Sequence, residues 1–211
     1  MYKKKLTIAL FFFFAIVNIQ AQVTFNPGLR GGFSFSTISE MHADYRTDFY
    51  VGGFGEINIT KRYALQPEIT YTRQGSNNVA RNYFDDISGV EKVEHRDLQI
   101  DYLSLTLINK FTFGPGIQIQ FGPALDVLLH DNLIKRKQSN DIAFVTGIAY
   151  KVSPNLTIEG RLKKGFLDVL DSGYYHNDRN DDYLFGDYNT NINFQLGLSY
   201  SFGEKNKRLW F

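Results

Sequence analysis

Four histidines, His42, His95, His130 and His176, are the chain's only imidazoles, and it contains no cysteine. A disulfide framework and a thiolate metal or redox centre are thereby excluded. A zinc-type site would need two or three of the histidines to converge, yet they lie far apart in sequence, in expected connections or at a strand edge. Residues 168–190 are acidic, with Asp168, Asp171, Asp178, Asp181, Asp182 and Asp187 against Arg179. Asp178, Asn180 and Asp182 take the first three ligand spacings of a calcium loop. Tyr183 then stands where glycine is needed, and Asn189 replaces the bidentate glutamate. No EF-type site is expected, and a solvated loop or a loose cation contact to lipopolysaccharide is the remaining chemistry. Ser88, His95 and Asp97 share one connection and, with His176, supply the residue types of a lipid-modifying outer rim. No spacing selects them, so no catalytic residue, cofactor or metal is assigned. Gly31-Gly32 and Gly52-Gly53 are followed by neither Lys-Ser/Thr nor a helix start, so they read as points of close strand approach rather than phosphate cradles.

The elements that would carry any site begin after an export signal. Lys3, Lys4 and Lys5 precede an apolar run from Leu6 to Ile19 that ends at Gln20-Ala21. That is the anatomy of a secretory signal over residues 1–21, and the run is short of the about 20 residues a spanning helix needs. Removing the three lysines takes the formal net charge from +1 to −2. Nothing in that balance suggests a nucleic-acid partner. With 211 residues, 43% of them hydrophobic and 16% aromatic, the chain is too apolar for disorder. Its mean hydropathy of −0.26 argues against membrane helices but leaves a membrane barrel open, because a polar lumen dilutes the average.

From residue 22 the dominant period is two, in eight segments. Leu29, Gly31, Phe33 and Phe35 oppose Arg30, Gly32, Ser34 and Ser36. Phe49 to Ile59 alternates in the same way around Glu56, and Tyr63 to Gln74 around Gln66, Glu68, Thr70 and Thr72. In the fourth segment Leu103, Leu105, Leu107, Phe111 and Phe113 face away from Ser104, Thr106 and Lys110. Leu98 and Ile100 fall on the other phase, which suggests a bulge near Asp101 or an early loop residue. Ile117 to Leu129 alternates around Asp126, Ile142 to Val152 around Lys151, Leu156 to Lys163 around Glu159, Arg161 and Lys163, and Ile192 to Phe202 around Asn193 and Gln195. Short turns at 60–62, 114–116 and 153–155 alternate with longer links at 37–48, 75–97, 130–141 and 168–190. Outer-membrane barrels have this asymmetry, with short periplasmic turns and long extracellular loops.

Alternation does not say which face points inward. A lipocalin-like carrier would enclose the apolar face, but the polar face here is mostly Gly, Ser, Thr, Asn and Gln. Its charges balance: Arg30, Lys110, Lys151 and Arg161 against Glu56, Glu68, Asp126 and Glu159. Such a set suits a narrow lumen, where opposite charges must pair to offset desolvation. Aromatics gather at both ends, Tyr63, Phe113, Tyr150, Tyr200 and Phe202 toward the short turns, Phe49, Tyr71, Phe144 and Phe166 toward the long links. Two such girdles suit a bilayer.

Gly28-Leu29-Arg30-Gly31-Gly32-Phe33-Ser34-Phe35-Ser36 and Tyr63-Ala64-Leu65-Gln66-Pro67-Glu68-Ile69-Thr70-Tyr71 resemble strands of the PorT-type outer-membrane β-barrel proteins of Bacteroidetes. Tyr102-Leu103-Ser104-Leu105 and Phe121-Gly122-Pro123-Ala124-Leu125 are similar too, and the likeness spans nearly the whole mature chain. The resemblance implies a small barrel of the OmpA/OmpX kind and an outer-membrane location; some relatives are tied to protein secretion. It departs at the end, where a basic extension, 203–211, follows Phe202, the residue that would otherwise close the chain as the barrel-assembly signal.

The expected protein is therefore an all-β, eight-stranded antiparallel up-and-down transmembrane β-barrel over residues 22–202, exported to the outer membrane of a Gram-negative bacterium. It is expected to be monomeric, without an open pore, and to act as a surface scaffold through links 75–97 and 168–190. Its partners would be outer-membrane lipids and lipopolysaccharide, the barrel-assembly machinery, and an extracellular protein or ligand. A lipid-modifying enzyme, a secretion-system accessory barrel and a soluble carrier are the alternatives.

Overall fold

A computed structural model describes residues 23–39, 43–87, 89–134, 139–170 and 189–203. The expected signal, the basic extension beyond Gly203, His42, Ser88, His176 and the Asp178-Asn180-Asp182 spacing lie outside the described residues. Eight strands follow one another: β1 (Thr24–Ile38), β2 (Asp44–Asn58), β3 (Tyr63–Asp85), β4 (Val90–Phe113), β5 (Ile117–Asp131), β6 (Asn140–Lys151), β7 (Leu156–Gly165) and β8 (Asn191–Ser201). Each pairs antiparallel with its sequence neighbour, and β1 pairs with β8, from Gly28 opposite Ser201 to Ile38 opposite Asn191. The sheet is closed, with an up-and-down order.

Burial follows the period of two but inverts the arrangement of a water-soluble barrel. Gln66, Glu159, Arg161 and Asn193 are among the most buried residues, all at 1% exposure or less. Phe33, Ile69, Ile148 and Leu198 are half exposed or more on the outer wall. Polar side chains fill the lumen, and an apolar band faces outward. Water would penalise that band, whereas hydrocarbon accepts it. The lipocalin-like carrier, which needs the opposite polarity, is thus excluded by geometry. Aromatic contacts mark both margins: Phe49 and Tyr71 lie 5.9 Å apart at the long-link end, Tyr63 and Phe111 4.9 Å and Tyr200 and Phe202 5.6 Å at the other.

The strands outrun the sequence pattern: β1 already begins at Thr24 and β2 at Asp44, inside the expected 37–48 link, and the largest extension is on β3 and β4. Residues 75–97, expected as a loop, are mostly β3 and β4 continuing as a two-stranded ribbon, with Val79 opposite Arg96 and Asp85 opposite Val90. The Gly89 amide donates to the Asp85 carbonyl at 2.8 Å, and Gly89 sits at φ +68°, a left-handed conformation that glycine adopts without penalty. Beyond Val79, which is still buried, the ribbon was hidden in the sequence because neither face packs against the rest of the barrel. Arg81, Asp85, Glu91, Lys92, Glu94 and Arg96 leave no apolar alternation, and Arg81–Glu94 (3.5 Å) and Lys92–Asp85 pair across the two strands.

The phase of Leu98 and Ile100 is also resolved. A register shift does occur at Asp101/Tyr102 of the β4–β5 ladder, but Ile100 pairs with Asp131 and Tyr102 with Leu128, so the extra residue is on β5. Strand β4 keeps its phase. Leu98, Ile100, Tyr102, Ser104 and Thr106 all point inward, and the first three are apolar because that end of the lumen is apolar.

Candidate functional site

Arg30 of β1, Glu68 of β3, and Glu159 and Arg161 of β7 meet in the middle of the lumen. Glu159 and Arg161 share a face because they are two residues apart on one strand. Arg161 reaches Glu68 at 2.8 Å and Glu159 at 3.1 Å; Arg30 reaches the same two carboxylates at 3.2 and 2.7 Å. Each arginine therefore bridges both glutamates, closing a four-membered ring of alternating charge with every side chain at most 3% exposed. Neutral donors and acceptors complete it. Gln66 Nε2 donates to Glu68 at 2.6 Å, Tyr50 Oη donates to Glu159 at 3.4 Å, and Arg30 donates to Gln195 Oε1 at 3.2 Å. The Arg30 guanidinium also lies 4.6 Å from the centre of the Tyr50 ring. Gly197 makes room for that ring: a Cβ there would come within 2.3 Å of the Tyr50 hydroxyl.

Two further pairs extend the filling along the axis. Lys163 contacts Asp126 at 2.6 Å and donates to Ser104 Oγ at 3.1 Å, on the long-link side of the ring. Lys110 contacts Glu56 at 2.6 Å toward the short turns, where Lys151 lines a small polar pocket with them. Of the eight charges singled out from sequence, seven enter these pairs. Lys163, the partner of Asp126, was missing from that set. Period two already places it on the polar face with Glu159 and Arg161, but its position near the strand end conceals its role.

Above the charges the lumen turns apolar. Ile38, Val79, Leu98, Ile100 and Tyr102 line the long-link end, and Val169 and Leu170 fold back onto them after β7 ends. The fold-back is held by polar contacts at its base. Asp141 Oδ1 accepts the amides of Phe166 (3.2 Å) and Leu167 (3.0 Å), and Asp168 Oδ1 accepts the Asn189 amide at 2.6 Å. The result is an apolar cap over a charged plug.

Among the described residues, the candidate catalytic types stay apart from this assembly. His95 and Asp97 lie exposed on the β3–β4 ribbon, both against the backbone of Asn78: His95 Nδ1 is 3.4 Å from its carbonyl, and Asp97 Oδ1 accepts its amide at 2.9 Å. Asn78 has φ +58° at the β3 bulge, so these contacts brace a bend. His130 is exposed on β5, and no group of three metal-ligating side chains occurs among the described residues.

The closed ring and inverted polarity agree with what sequence comparison finds. The profile described as "Outer membrane protein beta-barrel domain" matches residues 20–210. The chain belongs to that family. Its location is accordingly the outer membrane, and the apolar wall suits a bilayer. A search of curated protein sequences gives no match. Among solved structures, Neisserial surface protein A is similar at 14% identity and a TM-score of 0.48, over 84% of this chain and 97% of that one. The attachment invasion locus protein Ail of Yersinia pestis gives 11% and 0.45, over 84% and 98%. OprG from Pseudomonas aeruginosa gives 11% and 0.47, over 89% and 100%.

This outer-membrane barrel is expected to fractionate with the outer membrane and to shift its gel mobility only after heating, because a closed ladder resists detergent. Recovery in a detergent-free soluble fraction would contradict the assignment.

Proposed function

We propose that this outer-membrane barrel is a surface scaffold that displays the β3–β4 ribbon, together with the 168–190 link, to a partner outside the cell. The observation that carries the reading is the ribbon itself. It continues well past the upper aromatic margin at Tyr71 and exposes Phe84, Ile87, Val90 and Val93, with Ile87 at 99%. Exposed apolar residues on a projecting, charge-rimmed hairpin are what a binding or adhesive surface requires and what a barrel alone does not. The partner is an extracellular protein or ligand, or the lipopolysaccharide layer. Residues 1–21 act as the cleaved signal, and the short turns face the periplasm. A PorT-type affiliation is consistent with the residues quoted for it and would add a link to secretion.

The scaffold has no open pore in this reading, since the four-charge ring and the apolar cap are two separate obstructions. Planar-bilayer recordings are expected to show no stable large channel; steady ion-selective openings would refute a closed lumen. The function itself is tested by a photo-crosslinking residue at Phe84 or Ile87 in intact cells, with Thr60 in a short turn as control. Adducts from the ribbon positions and none from Thr60 are expected. An unlabelled ribbon would count against display to a partner.

A further inference from the structure

The outer wall is not uniformly convex. A groove of about 770 Å³ crosses it from β2 to β6, with Gly53 and Gly55, Pro67 and Ile69, Leu105 and Leu107, Pro123 and Leu125, and Ile142 along it. Register explains it. Gly53 pairs with Ile69, Ile69 with Leu105, Leu105 with Leu125, and Leu125 with Ile142, so one outward row crosses five strands. The adjacent row runs through Pro67 and Leu107 and is recessed, because Pro67 and Pro123 offer little side chain to fill it, while the Phe25 ring lies over Gly55 at the β2 end. At about 4.8 Å between strands the groove is about 19 Å long, and its volume falls in the range of small-molecule sites.

Depth and charge indicate the occupant. The β2–β3 turn below the groove is Thr60-Lys61-Arg62, with Lys61 and Arg62 exposed. Pro67 is five residues up β3 from Arg62, which at about 3.3 Å per residue and about 40° of tilt is about 13 Å of depth. One leaflet of hydrocarbon is about 15 Å deep. A lipid whose headgroup lies at Lys61 and Arg62 would therefore bring its acyl chain to the level of the groove. We propose that this groove is a binding site for one anionic glycerophospholipid, its phosphate at Lys61 and Arg62 and an acyl chain laid along Gly53, Pro67 and Pro123. The two cations complement a phosphate. A second copy of the barrel docked on this face would instead set Lys61 and Arg62 against their own kind. The choice of phospholipid over lipopolysaccharide rests on the short turns facing the periplasm, as proposed above. The crosslinking experiment tests that orientation separately.

Native mass spectrometry of the full chain released from detergent with added phosphatidylglycerol, and in parallel with lipid A, tests the site. Wild type is expected to retain one phosphatidylglycerol. Gly53→Trp fills the groove, where a Cβ meets nothing closer than 3.7 Å, and is expected to abolish retention. Ile69→Trp is expected to do the same and serves if Gly53→Trp does not fold. The double variant Lys61→Gln/Arg62→Gln is expected to weaken retention by about 25-fold, the worth of two cations at a lipid surface. Gly160→Trp, on the outer wall of β7 with only Phe194 within 4 Å, is expected to retain the lipid as wild type does. Equal retention by wild type and both groove-filling variants would overturn the proposal. So would preference for lipid A, or a dimer that Gly53→Trp dissociates.

Discussion

Arg161→Met is expected to cost about 3–5 kcal/mol of stability, because it leaves buried carboxylates without their second cation. Both Glu68 and Glu159 contact Arg161, and neither side chain is more than 1% exposed, so solvent cannot take its place. Arg30 still reaches both, but one guanidinium then faces two carboxylates and the ring carries a net negative charge. Removing charge symmetrically should recover much of the loss. In Glu68→Gln/Arg161→Met the Arg30–Glu159 pair survives at 2.7 Å, and the ring is neutral again. The double variant is therefore expected to be more stable than the two single losses combined would predict, by about 0.5–3 kcal/mol. Arg96→Met is the control, since Arg96 pairs with Glu94 at 3.6 Å on the exposed ribbon, where an ion pair is worth about 0–1 kcal/mol. Urea unfolding from lipid vesicles measures all five proteins: wild type, Arg161→Met, Glu68→Gln, the double variant and Arg96→Met. Identical midpoints for wild type and Arg161→Met would show that the ring does not hold the barrel together.

Leu170→Ala is expected to cost about 2–5 kcal/mol, the range for emptying a buried leucine site. Leu170 is fully buried and packs with Val169 against Ile38, Val79, Leu98, Ile100 and Tyr102, a contact made only because the chain folds back after β7. Ile87→Ala, at a position 99% exposed on the ribbon tip, is the matched control and should change stability by no more than about 0.5 kcal/mol. Hydrogen exchange should quicken at Leu98–Tyr102 in Leu170→Ala and stay unchanged in Ile87→Ala. The same variant separates the two obstructions. With the cap loosened, bilayer recordings are expected to remain silent, since the Arg30–Glu68–Arg161–Glu159 ring lies below it untouched. A channel appearing in Leu170→Ala would mean that the cap alone closes the lumen.

The sequence by itself determined the strand count, the antiparallel order and the identity of both faces. Each of these follows from local information: a period of two, tight turns such as Gly114-Pro115-Gly116, and the contrast between Gln66-Glu68-Thr70 and Leu65-Pro67-Ile69. It also singled out Arg30, Glu68, Glu159 and Arg161 as charges on the polar face. Which charge meets which was decided only by the closed ring, because Arg161 and Glu68 are 93 residues apart and Arg30 and Glu159 are 129. Their contact depends on the register of every intervening strand and on the closing β1–β8 seam. Lys163 shows the same limit on a smaller scale: its phase was legible, but its partner Asp126 on β5 was not. The ribbon escaped the sequence pattern because a hairpin wet on both faces has no reason to alternate. Leu98 and Ile100 seemed out of phase because a lumen was assumed polar to its end. The fold-back of Val169 and Leu170 makes that end apolar, and no local pattern in β4 could announce a neighbour that arrives from beyond β7.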